Sequence, residues 1–248
     1  MSCNTPFSLA SLCLRSLSLL SLTAILAAPT SAQNFMSQAL TPAQLSQPPL
    51  GRVLTQLAPQ ANPGVLTLAA RAINCADPGA RRLAVIDYSL PSTQPRMWVF
   101  DLQQQRLLFR ELVSHGAGSG DEVATSFSNI PESHQSSIGL FRTLNSYDGS
   151  NGYSLRLKGL EPGINDNAFN RAIVIHGADY VSEAFIEQTG RIGRSHGCPA
   201  VRSEVAIPLI NSIKDEQYLF TYYPDQDWLR TSAFLRCPTS AHQLAMKN

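Results

Sequence analysis

The chain has 248 residues, of which 44% are hydrophobic and 15% are charged. These values are typical of a globular protein and exclude disorder along the whole length. Its 19 basic residues nearly balance its 18 acidic ones, so charge gives no reason to expect a nucleic-acid or anionic-membrane partner. Five cysteines are too few for a disulfide scaffold, and none of their spacings is the C-x-x-C of a zinc or redox motif. The function is therefore expected to reside in a localised site.

The first 32 residues have the features of a secretory signal peptide. Arg15 is the single charge before residue 33, and it precedes an apolar stretch at 17–28 that is too short to span a bilayer. Small residues at Thr30 and Ala32 fit a cleavage site. We expect export to the periplasm or cell envelope, or secretion, with no stable membrane insertion after cleavage. A permanent N-terminal anchor is the alternative.

A leader and a helical segment are predicted at 33–80. Apolar residues between Gly51 and Cys75 have a helical spacing that is broken at Asn62-Pro63-Gly64, which predicts two short helices.

A mainly β domain is predicted at 81–237, followed by a tail at 238–248. Seven runs of strand length are separated by Gly, Pro, Asn and Ser clusters. The runs are 83–88, 97–100, 107–113, 138–141, 153–157, 172–175 and 218–223. Apolar residues at 205–213 have helical spacing instead. The predicted class is mainly β with short helices (α+β), and the lack of regular βα alternation argues against a doubly wound fold.

The candidate site lies between residues 172 and 202. An apolar strand ends at His176, and Ser195-His196-Gly197-Cys198 follows in a loop rich in Gly and Arg. A nucleophilic thiol needs an imidazole to accept its proton. A strand-end histidine can face a cleft, whereas His196 is only two residues from Cys198, so geometry favours His176. Gly197 has no Cβ, so a carbonyl can approach the N–H groups of Gly197 and Cys198, which we expect to form an oxyanion hole.

Two other interpretations of these residues stay open. Cys198 is half of a disulfide in one, and a metal ligand together with His176 and His196 in the other. No metal is expected, because the chain has no i, i+3 or i, i+4 ligand pairing and no acidic residue close to the thiol in sequence. His115 and His134 are expected to be loop residues that hold hydrogen bonds.

A histidine followed, after a gap, by S-H-G-C resembles the signature of the YkuD-type L,D-transpeptidases, bacterial enzymes that remodel peptidoglycan. Further blocks resemble the branch of murein L,D-transpeptidase catalytic domain family proteins. They lie in the same order at 86–92, 113–120, 127–129, 133–139, 154–160 and 193–200. The resemblance covers about residues 83–225. It implies a β-sandwich-like catalytic domain without a cofactor, with Cys198 as nucleophile, His176 as base, and Ser195, His196 and Gly197 as the supporting loop.

The resemblance also implies a reaction. Cys198 attacks the amide before the terminal D-alanine of a tetrapeptide stem, and the thioester passes to a second stem to form a 3→3 cross-link. An L,D-carboxypeptidase, a non-catalytic peptidoglycan-binding module and a zinc hydrolase are the alternatives. Many family members have Arg or Asn two residues after the cysteine, where this chain has Ala200. Arg194, Arg202 and Gly177 are therefore our candidates for holding the substrate.

Three thiols remain when Cys3 and Cys13 are removed with the signal peptide. Cys75 and Cys237 border the catalytic domain and belong to none of its catalytic motifs. Because an exported protein leaves paired thiols oxidised, we expect a bridge between them, with Cys198 free. Two unrelated buried thiols are the alternative.

Overall fold

The computed structural model describes residues 49–237. The predicted signal peptide, most of the predicted leader and the predicted tail at 238–248 lie outside these residues. None of the described helices is long and apolar enough to cross a membrane.

Helices and strands alternate irregularly along the described chain. In order they are α1 (Leu50–Leu57), α2 (Pro63–Ala76), β1 (Arg82–Asp87), β2 (Met97–Asp101), β3 (Arg106–Glu111), a 3-10 turn (Ala117–Ser119), β4 (Gly139–Gly149), β5 (Gly152–Gly159), β6 (Val174–Gly177), α3 (Glu183–Thr189), β7 (Ala200–Val201), α4 (Ser203–Ile213), β8 (Tyr218–Tyr222), α5 (Gln226–Thr231) and α6 (Ala233–Arg236).

The two predicted N-terminal helices are confirmed, and so is the break between them. The Asn62 side chain caps α2 by accepting a hydrogen bond from the Gly64 N–H at 2.8 Å. Pro63 follows at the first helical position, where its missing N–H costs nothing. The same three residues that interrupt the apolar spacing therefore start the second helix.

All eight described strands form one mixed sheet in the order β3-β2-β1-β8-β4-β5-β6-β7. The β1–β8 and β6–β7 pairs are parallel, and the other neighbours are antiparallel. This confirms the mainly β class with short helices.

The central strand β1 is buried on both faces of the sheet. Successive strand residues point to opposite faces, and here Leu83 and Val85 join one core cluster while Ala84 and Ile86 join the other. Helix α2 contributes Leu66 and Ile73 to the first cluster. Leu209, Ile210 and Ile213 of α4 complete the second. Helices on both faces thus hold the sheet rigidly behind the candidate site.

The end of the sheet brings the two halves of the motif together. Strand β7 has only two residues, and in its parallel pairing with β6 Ala200 lies opposite His176 and Val201 opposite Gly177. The loop that contains Cys198 leads directly into β7, so this short pairing fixes the thiol beside β6.

A disulfide joins Cys75, in the last turn of α2, to Cys237, immediately after α6, with 5.9 Å between the Cα atoms. The bridge expected between these two residues is confirmed, and Cys198 is a free thiol. The linked residues are 162 positions apart, so the bond closes a loop that contains most of the described residues.

Removing this bridge with Cys75→Ala and Cys237→Ala together should lower the free energy of unfolding by about 2–4 kcal/mol, below the roughly 4–5 kcal/mol that chain entropy alone assigns to so long a loop. Urea unfolding of the variant and of oxidised wild-type protein measures the difference. Wild-type protein with its disulfide reduced is the control and should match the variant. A loss under about 1 kcal/mol would contradict the prediction.

Candidate active site

The Cys198 thiol is held by the backbone that leads into β6. The Val174 N–H donates a hydrogen bond to the sulfur at 3.4 Å, and the thiol donates to the Ala172 carbonyl at 3.6 Å. Only 9% of Cys198 is exposed. The thiol is therefore fixed in position and largely shielded from water.

His176 lies two residues further along β6 than Val174 and is also buried. Its Nδ1 lies 2.9 Å from the Gly177 carbonyl oxygen, which can only accept, so the proton is on Nδ1. Nε2 is then a bare acceptor and has no hydrogen-bond partner among residues 49–237. No hydrogen bond joins the ring to the sulfur. Catalytic hydrogen bonds commonly form only when substrate is bound.

Gly177 contributes to the site through its carbonyl, which fixes the tautomer of His176. Its predicted role as a substrate-binding residue stays a prediction.

Ser195 ties the nucleophile loop into a tight turn. Its hydroxyl donates to the Cys198 carbonyl at 2.6 Å and accepts from the Gly197 N–H at 3.0 Å. This corrects the expected oxyanion hole, because the Gly197 N–H is already engaged by a side chain. The Cys198 N–H has no acceptor in the described part of the chain and is left as the candidate donor.

Gly197 is required by backbone conformation and packing rather than by substrate access. Its φ is +118°, a region that favours glycine. A Cβ there would lie 2.8 Å from both the Gln135 carbonyl oxygen and Ile173 Cδ1. The loop can approach its neighbours this closely only without a side chain.

Ser136 braces the nucleophile loop from a second segment. Its hydroxyl donates to the Gly197 carbonyl and accepts from the Gly116 N–H, both at 3.0 Å. Ser136 was not among the site residues predicted from the sequence, although it lies in one of the blocks that resemble the family.

The His196 side chain is exposed to solvent. Its ring stacks on that of His134, with centroids 4.2 Å apart and planes within 4°. The choice of His176 rather than His196 as the base stays a prediction. Residues 49–237 contain no group of three His, Cys, Asp or Glu placed to hold a metal ion.

His115 is fully buried behind the loop. Its Nδ1 accepts a hydrogen bond from Arg96 Nη2 at 2.7 Å, and its carbonyl accepts from the Ser195 N–H at 3.0 Å. Burial, reinforced by the Arg96 charge, lowers the pKa of His115 to about 4. The ring is therefore neutral at physiological pH and holds hydrogen bonds, as expected for it.

The two arginines predicted to hold a substrate carboxylate are engaged by the protein itself. Arg202 donates to Glu111 from Nε at 2.8 Å and from Nη2 at 3.1 Å. Arg194 pairs with Asp121 at 2.9 Å. Arg202 therefore presents no free guanidinium fork, whereas both contacts of Arg194 use Nη1 and leave its Nε and Nη2 without a partner among residues 49–237. Arg194 stays a prediction as a substrate-holding residue. The sequence prediction could not include these pairings, because the partners lie far apart in the chain.

Burial shifts the pKa values of Cys198 and His176 in opposite directions. It raises the pKa of the Cys198 thiol, and this effect is larger than the opposing effects of the Val174 N–H and the Arg171 charge, which lower that pKa. It lowers the pKa of His176, and this effect is larger than that of the hydrogen bond to the Gly177 carbonyl, which raises that pKa. Both directions favour the neutral forms. The resting pair is thus a thiol beside a neutral imidazole, an arrangement suited to proton transfer during nucleophilic attack.

A family model described as an L,D-transpeptidase catalytic domain matches residues 57–222. This span includes every residue of the site described above, and it confirms the resemblance seen in the sequence. No curated protein matches the chain.

Several solved structures resemble the fold at low identity. L,D-transpeptidase 3 from Mycobacterium tuberculosis is 14% identical, with 58% of this chain and 62% of that chain covered and a TM-score of 0.37. An L,D-transpeptidase from Mycobacterium smegmatis is 13% identical over 58% and 60%, with a TM-score of 0.37. A variant of the helical cell shape determining protein from Campylobacter jejuni is 12% identical over 59% and 48%, with a TM-score of 0.40. The matched region thus spans less than two thirds of each of these chains.

Proposed function

Because this chain belongs to the family of L,D-transpeptidase catalytic domains, we propose that it is a cysteine acyltransferase that remodels peptidoglycan stem peptides. The observation that carries the proposal is the buried Cys198 thiol, which accepts a hydrogen bond from Val174 of β6. Two residues after Val174 lies a histidine whose Nδ1 proton is held by the Gly177 carbonyl, so that its Nε2 is a bare acceptor. The disulfide between Cys75 and Cys237 supports an oxidising compartment such as the periplasm or cell envelope.

Acylation begins when the sulfur attacks the carbonyl that precedes the terminal D-alanine. His176 Nε2 takes the thiol proton as the S–C bond forms, and the Cys198 N–H donates to the oxyanion. The C–N bond then breaks, and His176 returns the proton to the amine of the departing D-alanine. General-base assistance contributes roughly 10²–10⁴-fold to the rate, and one oxyanion donor about 10²–10³-fold. The product is a thioester on Cys198.

The thioester passes to an acceptor amine in the second half of the reaction. His176 removes a proton from the amine of a second stem, the new amide forms, and the thiol is regenerated with a 3→3 cross-link. The hydrogen bonds of Ser195 and Ser136 keep the nucleophile loop in one geometry through both steps. Water in place of the amine gives a trimmed tripeptide, which is the carboxypeptidase alternative.

Incubation of the chain from Gln33 onward with disaccharide-tetrapeptide tests the proposal, with product masses as the readout. A cross-linked dimer that has lost one D-alanine is the expected product. Tripeptide alone would overturn the transpeptidase assignment in favour of the carboxypeptidase. Unchanged tetrapeptide, with folded protein and an intact Cys198, would overturn both and favour a peptidoglycan-binding module. Cys198→Ala is the matched control.

A further inference from the structure

A positive charge lies at the end of the turn that leads to the sulfur. Arg171 immediately precedes Ala172, whose carbonyl accepts from the Cys198 thiol. Ala172 has a φ of +53°, which is uncommon for a residue with a Cβ and costs on the order of 1–3 kcal/mol. Such strain commonly persists at functional sites. The turn is therefore held in an unfavourable conformation just where it meets the nucleophile.

The Arg171 side chain folds back toward the nucleophile loop. Its Nη2 lies 3.5 Å from the point that a Cβ on Gly197 would occupy. Nη2 also donates to the Gln135 carbonyl at 2.6 Å, and that same carbonyl oxygen limits the space at Gly197. The guanidinium thus packs against the residue that precedes Cys198.

The hydrogen-bond partners of Arg171 are all neutral. Nη1 donates to the Ser128 carbonyl at 2.6 Å and to the Ser137 hydroxyl at 2.7 Å, and Nη2 donates to the Ser133 hydroxyl at 3.1 Å as well as to Gln135. The described residues provide no carboxylate in an ion pair with it. Its four terminal N–H bonds are used within the protein, which leaves no fork for a substrate carboxylate, and none of these hydrogen-bond partners neutralises its charge.

We propose that Arg171 is a positioning residue that braces the 128–137 segment against the nucleophile loop and places a fixed positive charge beside the Cys198 sulfur, where it stabilises the thiolate. The inference rests on the proposed role of Cys198 as nucleophile. It assigns the positive charge of the site to the turn before β6, whereas the family pattern suggested a residue just after the cysteine, where this chain has Ala200.

Other titratable groups near the sulfur do not supply this charge. Burial raises the pKa of Tyr88 to about 12 and also raises the pKa of Tyr180, so both phenols are neutral at physiological pH. His176 is neutral because burial lowers its pKa. Glu132, which acts on Arg171 through its charge, is exposed to solvent.

The rate of alkylation of Cys198 by iodoacetamide as a function of pH tests the proposal, because it reports the pKa of the thiol without needing turnover. An opposite charge within about 4–6 Å shifts a pKa by about 1–3 units. Arg171→Gln should therefore raise the kinetic pKa of Cys198 by about one unit or more, which lowers the thiolate fraction at pH 7 about tenfold. Arg171→Lys, which keeps the charge but loses the planar fork, should stay within about half a unit of wild type.

Arg142→Gln is the matched control, because Arg142 lies on β4 and pairs with Glu216 in the turn before β8 and with Tyr218 of β8. It should leave the thiol pKa unchanged. A wild-type pKa in folded Arg171→Gln, or a pKa raised by a unit in Arg171→Lys, would overturn the proposal in favour of a purely structural brace. If Arg171→Gln does not fold, Arg171→Met, which also removes the charge but keeps a long side chain, takes its place with the same expected and contrary results. Failure here leaves the proposed function intact, since product masses test that separately.

Discussion

Cys198→Ala should abolish release of D-alanine from disaccharide-tetrapeptide and leave the fold intact. The reaction has no nucleophile without the sulfur. The thiol adds little to stability, since its two hydrogen bonds, at 3.4 and 3.6 Å, are weak sulfur contacts, so the free energy of unfolding should change by no more than about 1 kcal/mol. Amino-acid analysis of released D-alanine and urea unfolding of the same preparation measure the two effects.

Cys198→Ser sharpens this test, because a hydroxyl of similar size replaces the thiol in the same pocket. A serine hydroxyl is a far weaker acid than a thiol, so a neutral imidazole activates it poorly, and we expect turnover to fall close to that of the alanine variant. Wild-type product formation by folded Cys198→Ala would rule out the thioester mechanism.

His176→Gln should lower kcat by at least about 10²-fold, the smaller end of the contribution of a general base. Burial lowers the pKa of His176, so the imidazole stays neutral and active below its ordinary value of about 6.5. The wild-type rate should therefore fall only when the pH drops through this lowered pKa. The variant should lack that acidic limb in a kcat profile measured between pH 4 and 9.

His134→Gln is the control histidine, because its ring is half-exposed and stacked on His196 rather than placed on β6. It should lose less than about tenfold in kcat and keep the acidic limb. A His176→Gln variant that retains both the rate and the limb would mean that another group takes the thiol proton.

Local patterns were sufficient to predict most of the secondary structure. The break at Asn62-Pro63-Gly64 and seven of the strands could be read from residue order alone. The helix α3 could also have been found, because Ser182 caps its first turn and Gly190 ends it in the left-handed conformation. Strand β7 could not, since two residues have no periodicity. Its pairing with β6 is nevertheless what brings Cys198 to Val174.

The part of the site that could be predicted from the sequence is the part formed by short local motifs. Ser195 through Cys198 and the strand-end His176 were identified from their chemistry. The occupied Gly197 N–H depends on the turn that Ser195 forms, and the pairing of Arg202 with Glu111 joins residues 91 positions apart. Arg171 was missed for a similar reason. Its neighbours at 128–137 are distant in sequence, and an arginine before a strand has no local signature.

The most direct test of the central claim is to trap the acyl-enzyme. The chain is mixed with disaccharide-tetrapeptide, quenched in acid within milliseconds to seconds, digested and analysed by peptide mass spectrometry. The account predicts a disaccharide-tripeptide joined as a thioester to the peptide that contains Cys198, with loss of one D-alanine. An acyl group on any other residue, or D-alanine release by Cys198→Ala at the wild-type rate, would contradict it.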